Sequence, residues 1–307
     1  MVTGEHSGEG LNLPGADPGA PTRAIRRIAL GVSYVGTGYK GWQSQPGGGT
    51  VQDVLEAALK AFAVRPIKVM CAGRTDAGVH GLNQVVHLDT DIDRTSFSWV
   101  RGTNTFLPPD IAVQWAAEVP SDFHARNSAR GRRYTYIVLE SAMRPALESG
   151  RVGWVFRPLD LGAMEAAAAH LIGELDFSSF RSAMCQSPTP VKHLRSIRIR
   201  RCGGAAATHA PNGPSAPGEP AAPNAYWRFD FEGQAFLHHM IRNIMGCLIM
   251  VGTGVQPPDW VRDVRDARDR KVAAPTFSPD GLYFMGPRYD AELGLPEHVP
   301  GMDWLPT

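Results

Sequence analysis

Paired cysteines, long hydrophobic runs and an excess of one charge are all absent from this sequence. None of its four cysteines lies in a Cys-x-x-Cys pair, which argues against a zinc ribbon, a redox dithiol and a disulfide framework. The longest apolar stretch, residues 244–251, is too short to cross a bilayer, and no basic segment followed by an apolar one opens the chain. We therefore expect free thiols, a cytoplasmic location and no membrane partner.

The charge is balanced, so any nucleic-acid binding must use local patches. The 31 Lys and Arg residues stand against 30 Asp and Glu, which excludes a coat protein that binds through its overall charge. Residues 126–157 hold seven arginines against two glutamates, and residues 181–201 hold six Lys or Arg and no acidic residue. Aromatic residues interleave with both clusters, as in proteins that hold looped RNA. Solvated arginines beside core aromatics explain the same pattern equally well.

Hydrophobic periodicity predicts two consecutive α/β halves. We expect a disordered tail at 1–23, an N-terminal half at 24–124, a C-terminal half at 125–290 and a C-terminal tail at 291–307. The first half is predicted as strand, helix, strand, strand, helix, strand, which suits an antiparallel or mixed sheet with helices on one face. The second half repeats this order loosely, interrupted by a low-complexity insertion of Ala, Pro and Gly at 203–224.

Three helices have recognisable boundaries. Thr50 and Asp53 have the spacing of a capping box, which predicts a helix that begins at the next residue, Val51. Asp160 is placed to cap a second helix. A third, longer helix is predicted from about Gln234 to Gly252, because apolar residues recur there at helical spacing.

Residues 36–41 match the pattern G-x-G-x-x-G directly after a strand. A dinucleotide site needs the third glycine to open a helix whose N-terminus faces the pyrophosphate. Here the helix begins only near Val51, and no acidic residue ends a following strand at the expected distance. A plain glycine-rich turn is therefore favoured over a nicotinamide or flavin site.

Residues 72–81, A-G-R-T-D-A-G-V-H-G, are denser in chemical groups. Arg74 and Asp76 are two residues apart, so an extended chain projects them from the same side. A cation beside a carboxylate keeps it ionised, and an oriented, ionised carboxylate can act as a nucleophile. The alternative is a turn whose Asp accepts from backbone amides and whose Arg forms a surface ion pair. His80 is a possible metal ligand or a loop histidine, and no second ligand has a matching spacing.

A second chemical cluster lies at residues 238–243, H-H-M-I-R-N, within the predicted long helix. Arg242 lies at the edge of the apolar stripe, and a half-buried arginine needs a carboxylate partner. Asp76 is a candidate for that partner. The adjacent histidines are expected on the helix surface and not at a metal.

These residues together resemble the tRNA pseudouridine synthase A family. Seven signatures occur in family order between about residue 27 and residue 290, and the run at 72–81 is highly specific alone. They are Y-V-G-T-G-Y-K-G-W-Q at 34–43, C-A-G-R-T-D-A-G-V-H-G at 71–81, D-F-H-A-R at 122–126, R-R-Y-T-Y at 132–136, D-F-S-S-F-R at 176–181, F-L-H-H-M-I-R-N at 236–243 and G-L-Y at 281–283. The N-terminal tail and the insertion depart from the pattern, and neither touches a signature.

The resemblance implies an isomerase that converts uridine to pseudouridine at positions 38, 39 and 40 in the anticodon stem-loop of tRNAs. It also implies a homodimer and an α+β fold, with two similar halves whose largely antiparallel sheets join around a central basic cleft. No cofactor and no metal are implied. The rival interpretations are a non-catalytic tRNA-binding module on the same fold and a nucleotide-cofactor oxidoreductase.

The resemblance also assigns site residues by position. Asp76 matches the nucleophile, Arg242 its paired arginine, and Tyr134 the tyrosine that packs on the target base. Arg74 matches the residue that fills the vacated place in the RNA stack, and Leu282 an apolar wall of the pocket. The remaining candidates for substrate binding are His80, Arg132 and Arg133.

Overall fold

A computed structural model describes residues 24–202 and 224–296. The predicted tail at 1–23, nearly all of the insertion at 203–224 and the last part of the segment at 291–307 lie outside the described residues. No helix of the described ranges is both long and apolar enough to cross a membrane. All four cysteines lie within these ranges and are free thiols.

One sheet of ten strands runs through the described part of the chain, in the order β4-β1-β3-β10-β5-β9-β8-β7, with β2 beside β3 and β6 beside β5. Neighbouring strands are antiparallel except for β10 with β3 and β6 with β5. The strands are β1 (Arg26–Tyr34), β2 (Met70–Cys71), β3 (His80–Thr90), β4 (Ile111–Val119), β5 (Gly131–Glu140), β6 (Gly153–Val155), β7 (Gly173–Asp176), β8 (Val191–Cys202), β9 (Ala225–Gly233) and β10 (Leu282–Arg288). The α+β prediction is confirmed.

Within residues 24–202 and 224–296, five α-helices pack against this sheet in two groups, each with its own apolar core. They are α1 (Val51–Ala63), α2 (Ser96–Asn104), α3 (Leu161–Ala169), α4 (Met240–Gly252) and α5 (Trp260–Ala267). Leu55 and Leu59 of α1 and Trp99 of α2 pack with the apolar residues of β1 and β3. The helices α3, α4 and α5 pack with residues of β5, β8 and β9. The two groups correspond to the first and second halves of the chain.

The two halves are joined at the point where β3 begins. Tyr283 and Phe284 of β10, from the end of the described chain, pair in parallel with His80 and Gly81 of β3. The other edge of β10 pairs with β5, with Phe284 opposite Tyr134. Because β3 directly follows the loop at 72–79, this junction brings that loop against the second half.

Local sequence patterns predict two helix starts correctly and one incorrectly. The Thr50–Asp53 capping box forms as predicted, with α1 beginning at Val51, and the Asp160 side chain accepts from the backbone of the α3 N-terminus. The prediction of a helix from Gln234 is wrong, because α4 begins at Met240. His239 precedes it with a φ of 62°, in the left-handed region, which an α-helix cannot contain.

The residues 291–296 of the predicted C-terminal tail pack against the first half. Leu293 and Leu295 contact an apolar cluster that includes Val85 and Phe123. The side-chain amide of Asn83 donates to the carbonyl of residue 296 at 3.0 Å. This segment therefore ties the end of the described chain to β3.

The glycine-rich residues 36–41 form a short 3-10 turn, Gly36–Gly38, that packs on the end of the loop at 72–79. A Cβ on Gly36 would lie 1.9 Å from the backbone oxygen of Val79, whereas one on Gly38 would meet nothing within 4 Å. The backbone N–H of Gly36 donates to His80 Nδ1 at 3.1 Å. The first glycine of the pattern is therefore explained by close backbone approach.

Replacement of these two glycines is expected to have unequal effects. In Gly36→Ala the new methyl group must displace the Val79 backbone, so we expect the free energy of unfolding to fall by about 1–3 kcal/mol. Gly38→Ala, the matched control in the same turn, should change it by no more than about 0.5 kcal/mol. Urea denaturation measures both, and equal values for the two variants would contradict the packing of Gly36.

Candidate active site

The loop at 72–79, between β2 and β3, carries Asp76. Residues 34–42 of the first half hold this loop in place. The hydroxyls of Tyr34 and Thr75 are hydrogen-bonded at 2.8 Å, and the backbone N–H of Trp42 donates to the carbonyl of Thr75 at 3.0 Å. Gly41 has a φ of 90°, and a Cβ there would lie 2.7 Å from the same carbonyl. The position of Asp76 is thus fixed through the residue before it, Thr75.

Three basic side chains from the second half surround the Asp76 carboxylate. Arg242 Nη1 lies 3.4 Å from Oδ2, His239 Nε2 lies 3.5 Å from the same oxygen, and His238 Nε2 lies 3.3 Å from Oδ1. The side chain of Asp76 is 19% exposed and that of Arg242 14%. The pairing of Asp76 with Arg242, expected from the sequence, is present in the structure.

Two opposing effects act on the pKa of Asp76. Burial is the largest single effect and raises the pKa, because a carboxylate loses solvation away from water. The hydrogen bond from His238 and the charges of His239, His238 and Arg242 lower it, and together they outweigh burial. The pKa of Asp76 therefore lies below its ordinary value, and the group is ionised at neutral pH.

The position of Arg242 follows from the start of α4. Its Nε donates to the backbone carbonyl of Phe277 at 3.0 Å, which holds the guanidinium at the N-terminal end of the helix. The helix dipole also favours an anion at this end. The left-handed conformation of His239 turns the preceding chain so that both histidine rings reach Asp76. The expectation that these histidines lie on a helix surface is therefore wrong.

An aromatic cluster lies next to the loop, centred on Tyr134. Its ring packs against Phe236 at 5.2 Å and against Phe284 at 4.9 Å between centroids. A Cβ on Gly73 would lie 3.8 Å from the Tyr134 hydroxyl, so the tyrosine reaches the loop that carries Asp76. Burial raises the pKa of Tyr134 well above its ordinary value, which keeps the hydroxyl protonated.

Arg132 binds backbone carbonyls and connects the loop to the second half. Its guanidinium donates to the carbonyls of Ala72 at 3.1 Å, Arg126 at 2.6 Å and Gln234 at 3.0 Å. These contacts make Arg132 a clamp on the loop, and its predicted contact with substrate stays a prediction. Arg133 follows it on β5 and so projects to the opposite face of the sheet from Tyr134.

His80 and Leu282 are buried near the loop and not open to the cleft. His80 Nδ1 accepts from Gly36, its Nε2 lies 2.7 Å from the Gly150 carbonyl, and its ring stacks on Tyr283 at 4.6 Å. Burial lowers the pKa of His80, so the ring is neutral and joins three segments. Leu282 is 4% exposed within the core of the second half.

Arg74 is an exposed, charged residue of the loop. Its Nη1 lies 3.5 Å from Oε1 of Gln186, in the second half. The guanidinium therefore reaches from the loop to the second half and is exposed to solvent, where it can meet a bound polyanion.

Asp76, His238 and His239 also offer three ligand atoms within 4.8 Å of one another. This is a sufficient donor set for a divalent ion. The guanidinium of Arg242, 3.4 Å from the same carboxylate, would repel such an ion. The arrangement is better suited to holding an ionised carboxylate and to moving protons beside it.

Comparison with known proteins points to one family. A family model described as tRNA pseudouridine synthase matches residues 31–127 and 167–290, more than half of the chain. The tRNA pseudouridine synthase A of Methylibium petroleiphilum is 63% identical over 280 residues, 91% of this chain and 100% of that protein. The protein of the same name from Paracidovorax citrulli is 62% identical over 282 residues, with the same coverage.

Solved structures are more distant. A chain of a Cbf5-Nop10-Gar1 complex is 13% identical, with a TM-score of 0.31 over 72% of this chain and 45% of that chain. A likeness this low carries no argument about the site.

The ion pair between Asp76 and Arg242 makes a testable contribution to stability. In Arg242→Met the carboxylate keeps its burial and loses a cation, so we expect the free energy of unfolding at pH 7 to fall by about 1.5–3 kcal/mol. A lowered folded-state pKa stabilises the protein above the unfolded-state pKa, and this stabilisation is lost as the pH falls through the folded-state pKa. The difference in the free energy of unfolding between Arg242→Met and the unaltered protein should therefore become smaller below about pH 4.

The measurement is denaturant unfolding of both proteins at pH 7 and pH 3. Arg262→Met is the control, because Arg262 pairs with Asp259 and Asp263 on the exposed side of α5 and should cost no more than about 0.5 kcal/mol. If Arg242→Met lowers the free energy of unfolding by the same amount at both pH values, Arg242 does not act on Asp76.

Proposed function

The chain belongs to the tRNA pseudouridine synthase family, and we propose that it isomerises uridine to pseudouridine at positions 38, 39 and 40 in the anticodon stem-loop of tRNAs. The observation that carries this proposal is the ionised Asp76, held by Arg242 beside the aromatic cluster of Tyr134. The protein is therefore an isomerase. We place it in the cytoplasm, where tRNA is modified, and expect it to act as a homodimer.

The reaction breaks the bond between N1 of the base and C1′ of the ribose, turns the base over and joins C5 to C1′. Nothing is oxidised or hydrolysed overall, so the chemistry demands neither a redox cofactor nor a metal. It demands a nucleophile for the fragment that the base leaves behind. Asp76 meets that demand because its lowered pKa keeps it ionised. Attack on C1′, attack on C6 and removal of a sugar proton are all compatible with its position.

The target uridine must leave its stack before Asp76 can reach it. Base flipping costs a few kcal/mol, and a side chain that fills the gap recovers part of that cost. Arg74 is the candidate, since it is exposed and lies two residues before Asp76 in the same loop. Tyr134 provides an aromatic surface that would confine the freed base, and Leu282 lies in the apolar core behind it.

Both basic clusters of the sequence expose residues of the kinds that a looped RNA requires, and those on β8 lie on the opposite face of the sheet from Tyr134. Trp154 and Phe156 are exposed in the first basic cluster, and the Arg157 guanidinium lies 5.4 Å from the Phe156 ring centroid. Arg195, Arg198 and Arg200 are exposed along β8 in the second cluster. Exposed rings and guanidinium groups bind unpaired bases and phosphates.

Incubation with unmodified tRNA, followed by mapping of pseudouridine in the anticodon arm, tests the proposal. The unaltered protein should modify positions 38, 39 and 40. Asp76→Asn should abolish product formation and leave tRNA binding unchanged, because the amide is not a nucleophile. Asp263→Asn, at a carboxylate 69% exposed on α5, is the control and should be fully active. Normal turnover by Asp76→Asn would remove that residue from the mechanism, and binding without any product from the unaltered protein would indicate a binding module.

The affinity for tRNA should fall steeply with salt. Neutralised phosphates release counterions, so six or more phosphate contacts would weaken binding by about 10³-fold or more between 50 and 200 mM salt. Binding isotherms over this range measure the slope. A flat response would contradict a basic cleft that holds the RNA backbone.

A further inference from the structure

On the basis of the proposed function, we infer that His238 is the proton carrier of the isomerisation. It gives a proton to N1 of the uracil as the N1–C1′ bond breaks, and it takes the proton from C5 after the C1′–C5 bond has formed. No part of the proposed function assigns this step to a residue.

The proton balance of the reaction requires such a group. In uridine, N1 carries the ribose and C5 carries a hydrogen, whereas in pseudouridine N1 carries a hydrogen and C5 carries the ribose. When the N1–C1′ bond breaks, its electron pair stays on N1, and an imidazolium can supply the proton there. When C5 bonds to C1′ it still carries its hydrogen, and its removal restores the C5–C6 double bond. The imidazole that lost the first proton accepts this one, so the carrier returns to its starting state.

The position of His238 suits this role. Its Nε2 lies 3.3 Å from Oδ1 of Asp76, while Oδ2 is shared by Arg242 and His239. Oδ1 is therefore the oxygen with fewer partners and the better placed to react. If Oδ1 forms the bond to C1′, the base atoms that leave and rejoin C1′ come within reach of His238 Nε2. An imidazole can both give and take a proton at its ring nitrogens, which the two steps require.

The other groups around Asp76 are poorer carriers. Arg242 cannot give up its proton at any ordinary pH. Burial raises the pKa of Tyr134, so its hydroxyl is a poor acceptor. Asp76 itself is released when C5 bonds to C1′, but its lowered pKa makes it a weak base. His239 faces the oxygen that Arg242 already occupies, and burial lowers its pKa, which disfavours the protonated form.

The backbone around His238 is built to hold the ring at this place. The carbonyl of His238 accepts from the backbone N–H of Ser182 at 3.1 Å, and its own N–H lies 3.4 Å from Cys185 Sγ. The φ of 62° at His239 lies in the left-handed region, which is strained for a residue other than glycine. Without this conformation the chain could not present both rings to Asp76.

Single-turnover kinetics with three tRNA substrates test the inference. They carry uridine, [5-²H]uridine or 5-fluorouridine at the target position. In His238→Asn the uridine rate should fall by about 10²–10⁴-fold, and a primary deuterium isotope effect should appear because C5 deprotonation has become limiting. The loss should be much smaller for consumption of 5-fluorouridine, whose fluorine is not removed as a proton and whose ring is a better leaving group. Added imidazole should partly restore the uridine rate of His238→Ala, because the side chain that it replaces is 38% exposed.

His239→Asn is the matched control, since asparagine tolerates the left-handed conformation and position 239 contacts the same carboxylate. This variant should lower the reaction rates of the uridine and the 5-fluorouridine substrates by the same factor. It should show no isotope effect and no rescue by imidazole. If His238→Asn gives this same result, His238 only positions Asp76 and the inference is overturned. Absence of product from the unaltered protein would instead overturn the proposed function, and the inference with it.

Discussion

The ion pair between Asp76 and Arg242 connects the two halves of the molecule, and in our proposal the basic groups around Asp76 keep the nucleophile ionised. The carboxylate comes from a loop of the first half, and the cation comes from the first turn of a helix in the second. Burial without these basic groups would raise the pKa of Asp76 and favour its neutral form. On this proposal the site requires that the two halves are held at a fixed distance from each other.

That distance is set by the strand pairing that joins the halves. The last strand of the described chain, β10, lies between β3 and β5, so the loop before β3 is held next to Tyr134 and the α4 N-terminus. Arg132 adds a side-chain clamp from β5 to the start of the loop. The loop that carries Asp76 is thus held at its start by Arg132 and at its end by the pairing of β3 with β10.

Local structure was largely predictable from the sequence, and long-range structure was not. The capping box at Thr50 and the strand β1 follow from neighbouring residues, and both occur where expected. The pairing of β3 with β10 joins residues about 200 positions apart, and no local pattern contains it. The pairing of Asp76 with Arg242 was expected from the chemistry of a half-buried arginine. The histidines beside Asp76 were missed, because the left-handed turn at His239 arises from tertiary contacts and interrupts a pattern that otherwise indicates a helix. Their adjacency to Arg242 in one short motif was the available signal.

The central claim is that Asp76 is ionised in its half-buried cleft by the basic groups of the second half. The most direct measurement is a ¹³C NMR titration of its carboxyl carbon, identified by the resonance that disappears in Asp76→Asn. The account predicts a midpoint below the ordinary aspartate value of about 3.9. A midpoint above that value would mean that burial outweighs the cations, and it would contradict the account.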